Sequence, residues 1–173
     1  LMMPSATGGV NWQGASLDPD TNMFYVFTNT NPTALGMVPQ DPARGDFGFG
    51  NGLARDPNAA PPAGRGGAAG GGGGGEGGGP GLAVQGLPIV KPPYGRISAL
   101  DLNKGELVWQ IPHGDTPDNV KNSPALKGVP IKVTTMDGKV FDRTGRPGRI
   151  GVLTTKTLVI AGEGGFVVTP NGQ

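Results

Sequence analysis

The chain has 173 residues, no cysteine and one histidine. Disulfides and thiolate metal sites are thereby excluded within it, while the redox compartment stays open. Aromatic residues make up only 6 % and apolar residues 35 %, so the ordered core must be smaller than the length allows. Charge of one sign is also missing. With 14 basic and 13 acidic residues the net charge is +1, and no global field draws the chain to nucleic acid or an anionic membrane. No apolar run approaches the roughly 18–20 residues that span a bilayer. There is no signal-peptide pattern, and the chain opens at Leu1 directly in apolar sequence. It is read as an internal segment of a longer protein.

What the chain has in excess is glycine, 34 residues, and proline, 18 residues. Together they reach the level of loop-dominated or low-complexity chain. They are not evenly spread, and three zones result. Residues 1–30 contain strand-like sequence, with Met23-Phe24-Tyr25-Val26-Phe27 following the turn signal Asp18-Pro19-Asp20-Thr21-Asn22. Residues 31–86 have little periodicity and include unbroken glycine from 70 to 75. Glycine loses the most backbone entropy on ordering and offers no side chain to pack, so residues 59–81 are expected to be disordered within a long insertion. Residues 87–173 read as short strands with turn punctuation, ending in an expected strand at Phe166-Val167-Val168. No segment sustains an i, i+3, i+4 apolar pattern, so the expected class is all-β.

The clearest unit is residues 96–112, RISALDLNKGELVWQIP. It predicts a strand, a turn and a second strand, with Ala99, Asp101, Gly105 and Trp109 at fixed offsets. Such a hairpin cannot bury its own apolar face. A Trp at a set distance beyond a turn Gly points to one blade docking on the next in a radial β-repeat. A weaker echo lies upstream, where Ser16-Leu17-Asp18 also precedes a turn and a large apolar strand. In both, the Asp can cap its turn by accepting backbone N–H bonds. The two copies fit a repeat or two unrelated hairpins.

Most candidate chemistry has a simpler structural reading. His113, with Ser123 and Asp115, lacks a nucleophile-elbow context and reads as a strand-end residue. The oxygen ligands at Asp18, Asp20 and Asn22 lack the Gly and Glu of a calcium loop and read as a β-turn. Arg65 has no companions in the glycine tract, so an RNA-binding Arg-Gly-Gly segment is not supported. Glu163 is a lone carboxylate among glycines, able to line a site but read first as an exposed turn. Residues 8–14, GGVNWQG, differ. Their glycines permit close backbone approach, Asn11 supplies donors and an acceptor, and Trp12 supplies a flat surface. That combination suits a planar polar ligand. A core Trp12 with a turn-capping Asn11 is the competing reading.

The GGVNWQG segment with Leu17-Asp18-Pro19, the hairpin from Pro92 to Trp109, and the stretches GDTPD (114–118), PALKG (124–128), GRPGRIG (145–151) and TKTLV (155–159) occur here in one order. In that order they resemble the pyrroloquinoline quinone (PQQ)-dependent dehydrogenases, in wording nearest to quinoprotein glucose dehydrogenase. The resemblance covers the first and third zones. It implies all-β structure: roughly two blades of an eight-bladed quinoprotein β-propeller, with the glycine-rich stretch inserted on its surface. It implies oxidation of an alcohol or sugar hydroxyl, glucose-type first, by hydride transfer to PQQ, with an Asp as base and calcium polarising the quinone. Electrons would pass to ubiquinone or a cytochrome, at the periplasmic or extracytoplasmic face of the inner membrane. Asn11 corresponds to an amide contacting the PQQ edge, and Trp12 is its neighbour in the motif. Ala99, Asp101, Gly105 and Trp109 correspond to docking residues, not catalytic ones. The base and calcium ligands are expected in other blades of the parent chain, so this segment alone is expected to be inactive. A non-catalytic propeller scaffold is the alternative, which would have no reason to keep GGVNWQG in this form.

Overall fold

The computed structural model describes residues 2–4, 8–10, 13–33, 36–39, 43, 46, 48–52 and 82–163. Asn11, Trp12, the glycine tract and the expected strand at 166–168 lie outside the described residues. In chain order the strands are β1 (Ala15–Asp18), β2 (Met23–Asn29), β3 (Gly36–Pro39), β4 (Phe49–Gly52), β5 (Ala83–Val84), β6 (Leu87–Pro88), β7 (Gly95–Asp101) and β8 (Glu106–Pro112). A four-residue helix α1 (Asp118–Lys121) follows, then β9 (Val133–Thr134), β10 (Val140–Phe141), β11 (Val152–Thr154) and β12 (Val159–Ala161).

The main sheet has four strands in the order β1-β2-β7-β8, every neighbouring pair antiparallel. The two hairpins that look alike in sequence are therefore the two halves of one sheet. Their turns sit side by side at the same end and are built alike. Asp18 Oδ1 accepts the Asp20 N–H at 3.1 Å and its Oδ2 accepts the Thr21 hydroxyl at 2.6 Å. Asp101 Oδ1 accepts the N–H groups of Asn103 and Lys104 at 2.9 and 3.3 Å. Gly105 completes the second turn at φ +71°. The turns are laced together by Asn22 Nδ2 donating to Asn103 Oδ1 at 2.9 Å. Hydrogen bonding to the ionised form, from Thr21 first and then Asp20, holds the Asp18 carboxyl below its ordinary range.

Side chains alternate across the sheet, so register decides which residues share a face. Tyr25, Ala99 and Trp109 form one row and Phe27, Ile97 and Ile111 the next, all on one face. Ala99 is fully buried directly opposite Trp109, whose ring lies 5.9 Å from that of Tyr25. A small residue there leaves room for the indole. This face packs on the antiparallel pair β11–β12. Phe27, Ile97 and Ile150 form the buried centre, with Trp109, Ile111, Val152 and Ala161 around it. Each fully buried side chain of this size contributes roughly 1.5–3 kcal/mol of burial free energy. Ser16 Oγ also accepts the Thr154 N–H at 2.9 Å, joining β1 to β11. The opposite face leaves Leu17, Leu107 and Val108 exposed, which a lone globular sheet would cover. One four-stranded sheet with a second hairpin docked on one face is the blade arrangement of a propeller.

The zone between β2 and β7 contains strand pairs that its composition conceals. β3 pairs with β4 and β5 with β6, both antiparallel. α1 carries Asp118 in its first turn and Lys121 in its last, as the helix dipole favours, and buries Val120. β9, only Val133–Thr134, pairs antiparallel with β10.

Candidate functional site

The end of the sheet opposite the two turns gathers segments far apart in sequence. Gly9 O accepts the Asn29 N–H at 2.8 Å, which brings the described flanks of the 8–14 loop to the end of β2. Gly8 and Gly14 hold left-handed φ values of +82° and +68°. An L side chain rarely adopts that conformation, so the glycines let the loop turn out of and back into the sheet end. Asn11 and Trp12, between them, lie outside the described residues. Glycine at 8, 9 and 14 removes side chains from three of the five described loop residues, which suits close approach by a planar group such as PQQ.

Across this end lies a strap, residues 144–151. Tyr94 N–H donates to Thr144 O at 2.9 Å, and Arg146 N–H donates to His113 O at 2.8 Å. Backbone meets backbone so closely that a Cβ on Gly95 would overlap the carbonyl oxygen of Arg146, and one on Gly145 the carbonyl oxygen of Gly95. Asn29 grips the strap with its side chain. Nδ2 donates to Gly148 O at 2.7 Å and Oδ1 accepts the Gly148 N–H at 2.9 Å.

His113 is a junction at this end. Its backbone N–H donates to Gly95 O at 2.9 Å, and its ring stands edge-on to Phe27 at 5.8 Å. Its Nε2 lies 2.6 Å from Gly162 O, a carbonyl that can only accept, so Nε2 carries the proton. The ring nitrogen that a Ser-His-Asp triad needs as base is thereby occupied. The Asp115 carboxyl is held below its ordinary range by the Thr116 N–H and, further, by Lys121 and Arg146. Glu163 is exposed and its Oε1 accepts the Asp115 N–H at 3.1 Å, tying the end of β12 to the segment after β8. Arg146 Nε is buried with no hydrogen-bond partner among the described residues, and its Nη2 lies 3.8 Å from Asp118 Oδ1.

Ala99, Asp101, Gly105 and Trp109 lie in the body of the sheet and at its turn end, whereas Gly9 meets the opposite end at Asn29. Asn29, His113 and Arg146 are what sequence reasoning left out of the loop's surroundings. An Asn closing a strand reads as a turn former, and only the pairing of β2 with β7 brings it to the strap. A cavity of about 300 Å³ lies between residues 87–92, Tyr94, Val120 and residues 129–132, lined mainly by apolar atoms. Burial raises the pKa of Tyr94 there, so its phenol stays protonated. Among the described residues no group of three or more His, Cys, Asp or Glu is placed to hold a metal ion.

A blade with a second hairpin docked on it, and a glycine-flanked loop at one end, defines the class: a β-propeller. The family model described as "PQQ: Glucose/ethanol/alcohol dehydrogenase, beta-propeller domain" matches residues 1–164, and the chain belongs to that family. Among curated relatives, a probable quinate dehydrogenase (quinone) of Xanthomonas campestris pv. juglandis is 30 % identical over 151 residues, covering 84 % of this chain and 18 % of that protein. Quinoprotein glucose dehydrogenase A of Acinetobacter calcoaceticus is 27 % identical over 142 residues, 81 % of this chain and 16 % of that protein. The quinate/shikimate dehydrogenase (quinone) of Acinetobacter baylyi is 25 % identical over 153 residues, 84 % of this chain and 17 % of that protein. The chain thus spans under a fifth of the length of these relatives. No solved structure matches it. Among the described residues no helix is long and apolar enough to cross a membrane.

Proposed function

We propose that this chain is a blade-and-strap portion of a PQQ-dependent dehydrogenase that oxidises a hydroxyl of a polyhydroxylated ring, sugar or cyclic hydroxy acid. The reading is carried by one observation: the family match runs from the 8–14 loop through the blade to the second hairpin. The named relatives act on quinate, shikimate or glucose, which leaves glucose-type specificity as one case of the class. When bound, PQQ supplies the two-electron acceptor for the hydroxyl carbon. The residues of this chain bind and orient. Asn11 offers an amide to the polar edge of the cofactor and Trp12 a flat surface beside it. Ala99, Asp101, Gly105 and Trp109 hold the blade and its docking face, apart from the chemistry. The base and any calcium ligands come from other parts of the parent, and ubiquinone or a cytochrome at the periplasmic face takes the electrons.

The test is reconstitution of the parent protein. Apoprotein titrated with PQQ in the presence of calcium should reduce an artificial electron-accepting dye with glucose or quinate as donor. Asn11→Ala should weaken PQQ binding by roughly tenfold, the loss of one or two polar contacts, while leaving thermal stability near that of the unaltered protein. No PQQ-dependent dye reduction with either donor would end the dehydrogenase reading, and an unchanged titration would remove Asn11 from the site.

A further inference from the structure

We infer that the end of the blade opposite its two turns docks on an anionic phospholipid surface, led by the tip of the β9–β10 hairpin. A net charge of +1 conceals an uneven distribution. The two turns, residues 18–22 and 101–106, carry four acidic residues and one basic. Residues 113–151 leave β8 at the other end of the sheet and return through the strap, and they carry seven basic residues and four acidic. Each of those acids lies within 3.8 Å of a base of the same segment, as Asp137 does of Lys139 at 2.7 Å. A positive surplus remains, with Lys127 and Arg143 at exposed positions within it. An anionic surface attracts this end and repels the turns, so charge sets an orientation.

The same end presents apolar side chains. Met136, at the tip between β9 and β10, is 89 % exposed. Its turn is held by Thr135 N–H donating to Lys139 O at 2.8 Å and Gly138 N–H donating to Thr135 O at 2.9 Å. The methionine is therefore held outward by a closed turn. Val140 pairs with Thr134 on the outer side of the hairpin and is 57 % exposed, while Val133, one rung on, is buried. Beside the hairpin lies the apolar cavity of about 300 Å³, with exposed Ile89 and Val129 in its wall together with Lys91 and Lys132. Lysine lays its stem on apolar surface and keeps its ammonium in water. Apolar depth edged by ammonium groups matches an acidic phospholipid, whose phosphate and acyl chain lie side by side. The core of a protein interface is instead depleted of Lys and enriched in aromatic residues, and these exposed apolar side chains are Met, Val and Ile.

The experiment places a fluorophore on Met136→Cys in the full-length parent, and in a second preparation on Lys104→Cys in the turn. Both positions are exposed, so neither label disturbs a core. Each is combined with phosphatidylglycerol or phosphatidylcholine vesicles whose acyl chains carry a collisional quencher. The label at 136 should be quenched on phosphatidylglycerol and not on phosphatidylcholine, and the label at 104 on neither. Because each basic residue near an anionic surface is worth about fivefold in affinity, Lys127→Ala with Arg143→Ala should reduce contact at 136 by roughly tenfold or more. Absence of quenching at 136, equal quenching at 104, or quenching indifferent to lipid charge or to the double substitution overturns the inference. A label at 136 that lipid leaves unquenched but soluble polyglutamate shields assigns this end to an acidic macromolecule, and overturns it too.

Discussion

Alanine at Gly95 and alanine at Gly105 should have opposite causes of damage and different sizes. Gly105 sits at φ +71° with nothing within 4 Å of an added Cβ. Its cost is the left-handed backbone alone, about 1–2 kcal/mol. Gly95 has no such backbone constraint but no space: an added Cβ overlaps the Arg146 carbonyl and comes within 3.1 Å of Phe27 Cζ. The obstacle is main chain, which cannot swing aside as a side chain does. Overpacking costs about 1–3 kcal/mol. If the strap lifts to make room, the bonds from Tyr94 N–H to Thr144 O and from Arg146 N–H to His113 O are lost as well, at about 1 kcal/mol each. Gly95→Ala should therefore cost about 3–5 kcal/mol. Gly145→Ala combines both faults, since its φ is +72° and its Cβ would overlap Gly95 O, and should be the worst of the three. Urea unfolding of the parent protein measures the order. A Gly95→Ala variant no less stable than Gly105→Ala would refute the close backbone contact between strap and sheet.

Phe27→Ala, at the buried centre between the sheets, should lower stability by about 3–5 kcal/mol in the same unfolding assay, and a loss under 1 kcal/mol would remove Phe27 from that core. The Asp137 carboxyl is held at about 2 by Lys139, whose Nζ lies 2.7 Å from Oδ2, and by the Thr135 hydroxyl. Because the folded value lies below the ordinary 3.8, the stabilisation is present above about pH 4 and is lost as pH falls toward 2. Carbon-13 NMR titration should place its midpoint near 2 and find it raised in Lys139→Ala; a wild-type midpoint near 4 would contradict the contact.

The legible parts of this fold are those whose signals are local. Asp101, Gly105 and the apolar run around Trp109 announce a hairpin because a capping carboxylate and a left-handed glycine have few other uses so close together. The same holds for Asp18 and the aromatic strand after Asn22. What joins them is not local. β2 and β7 are neighbours, yet a glycine- and proline-rich stretch separates them in sequence, and no residue of either strand states its partner. β3 and β4 escaped because Gly36 and Gly52 give no alternation to read, yet the two strands pair antiparallel. Short α1 escaped because four residues cannot show a helical period. At the candidate site the glycines of the 8–14 loop were readable by type, whereas Asn29 and the strap acquire meaning only when the sheet brings residue 29 to residue 148. His113 read as a structural strand-end residue, and its bonds to Gly95, Arg146 and Gly162 are structural in kind.

Asn29 and Gly95 are rung partners, and Thr30 N–H bonds to Tyr94 O one step beyond. The chain thus departs from the sheet and rejoins it at a single crossbar. No described residue between 31 and 93 belongs to a strand of the four-stranded sheet. Closure entropy grows only logarithmically with loop length, about 0.6 kcal/mol for each doubling. The blade is consequently almost indifferent to how much sequence is spliced in there. That crossbar is a docking port in the genetic sense: a place where evolution can lengthen, shorten or exchange an appendage without renegotiating the propeller.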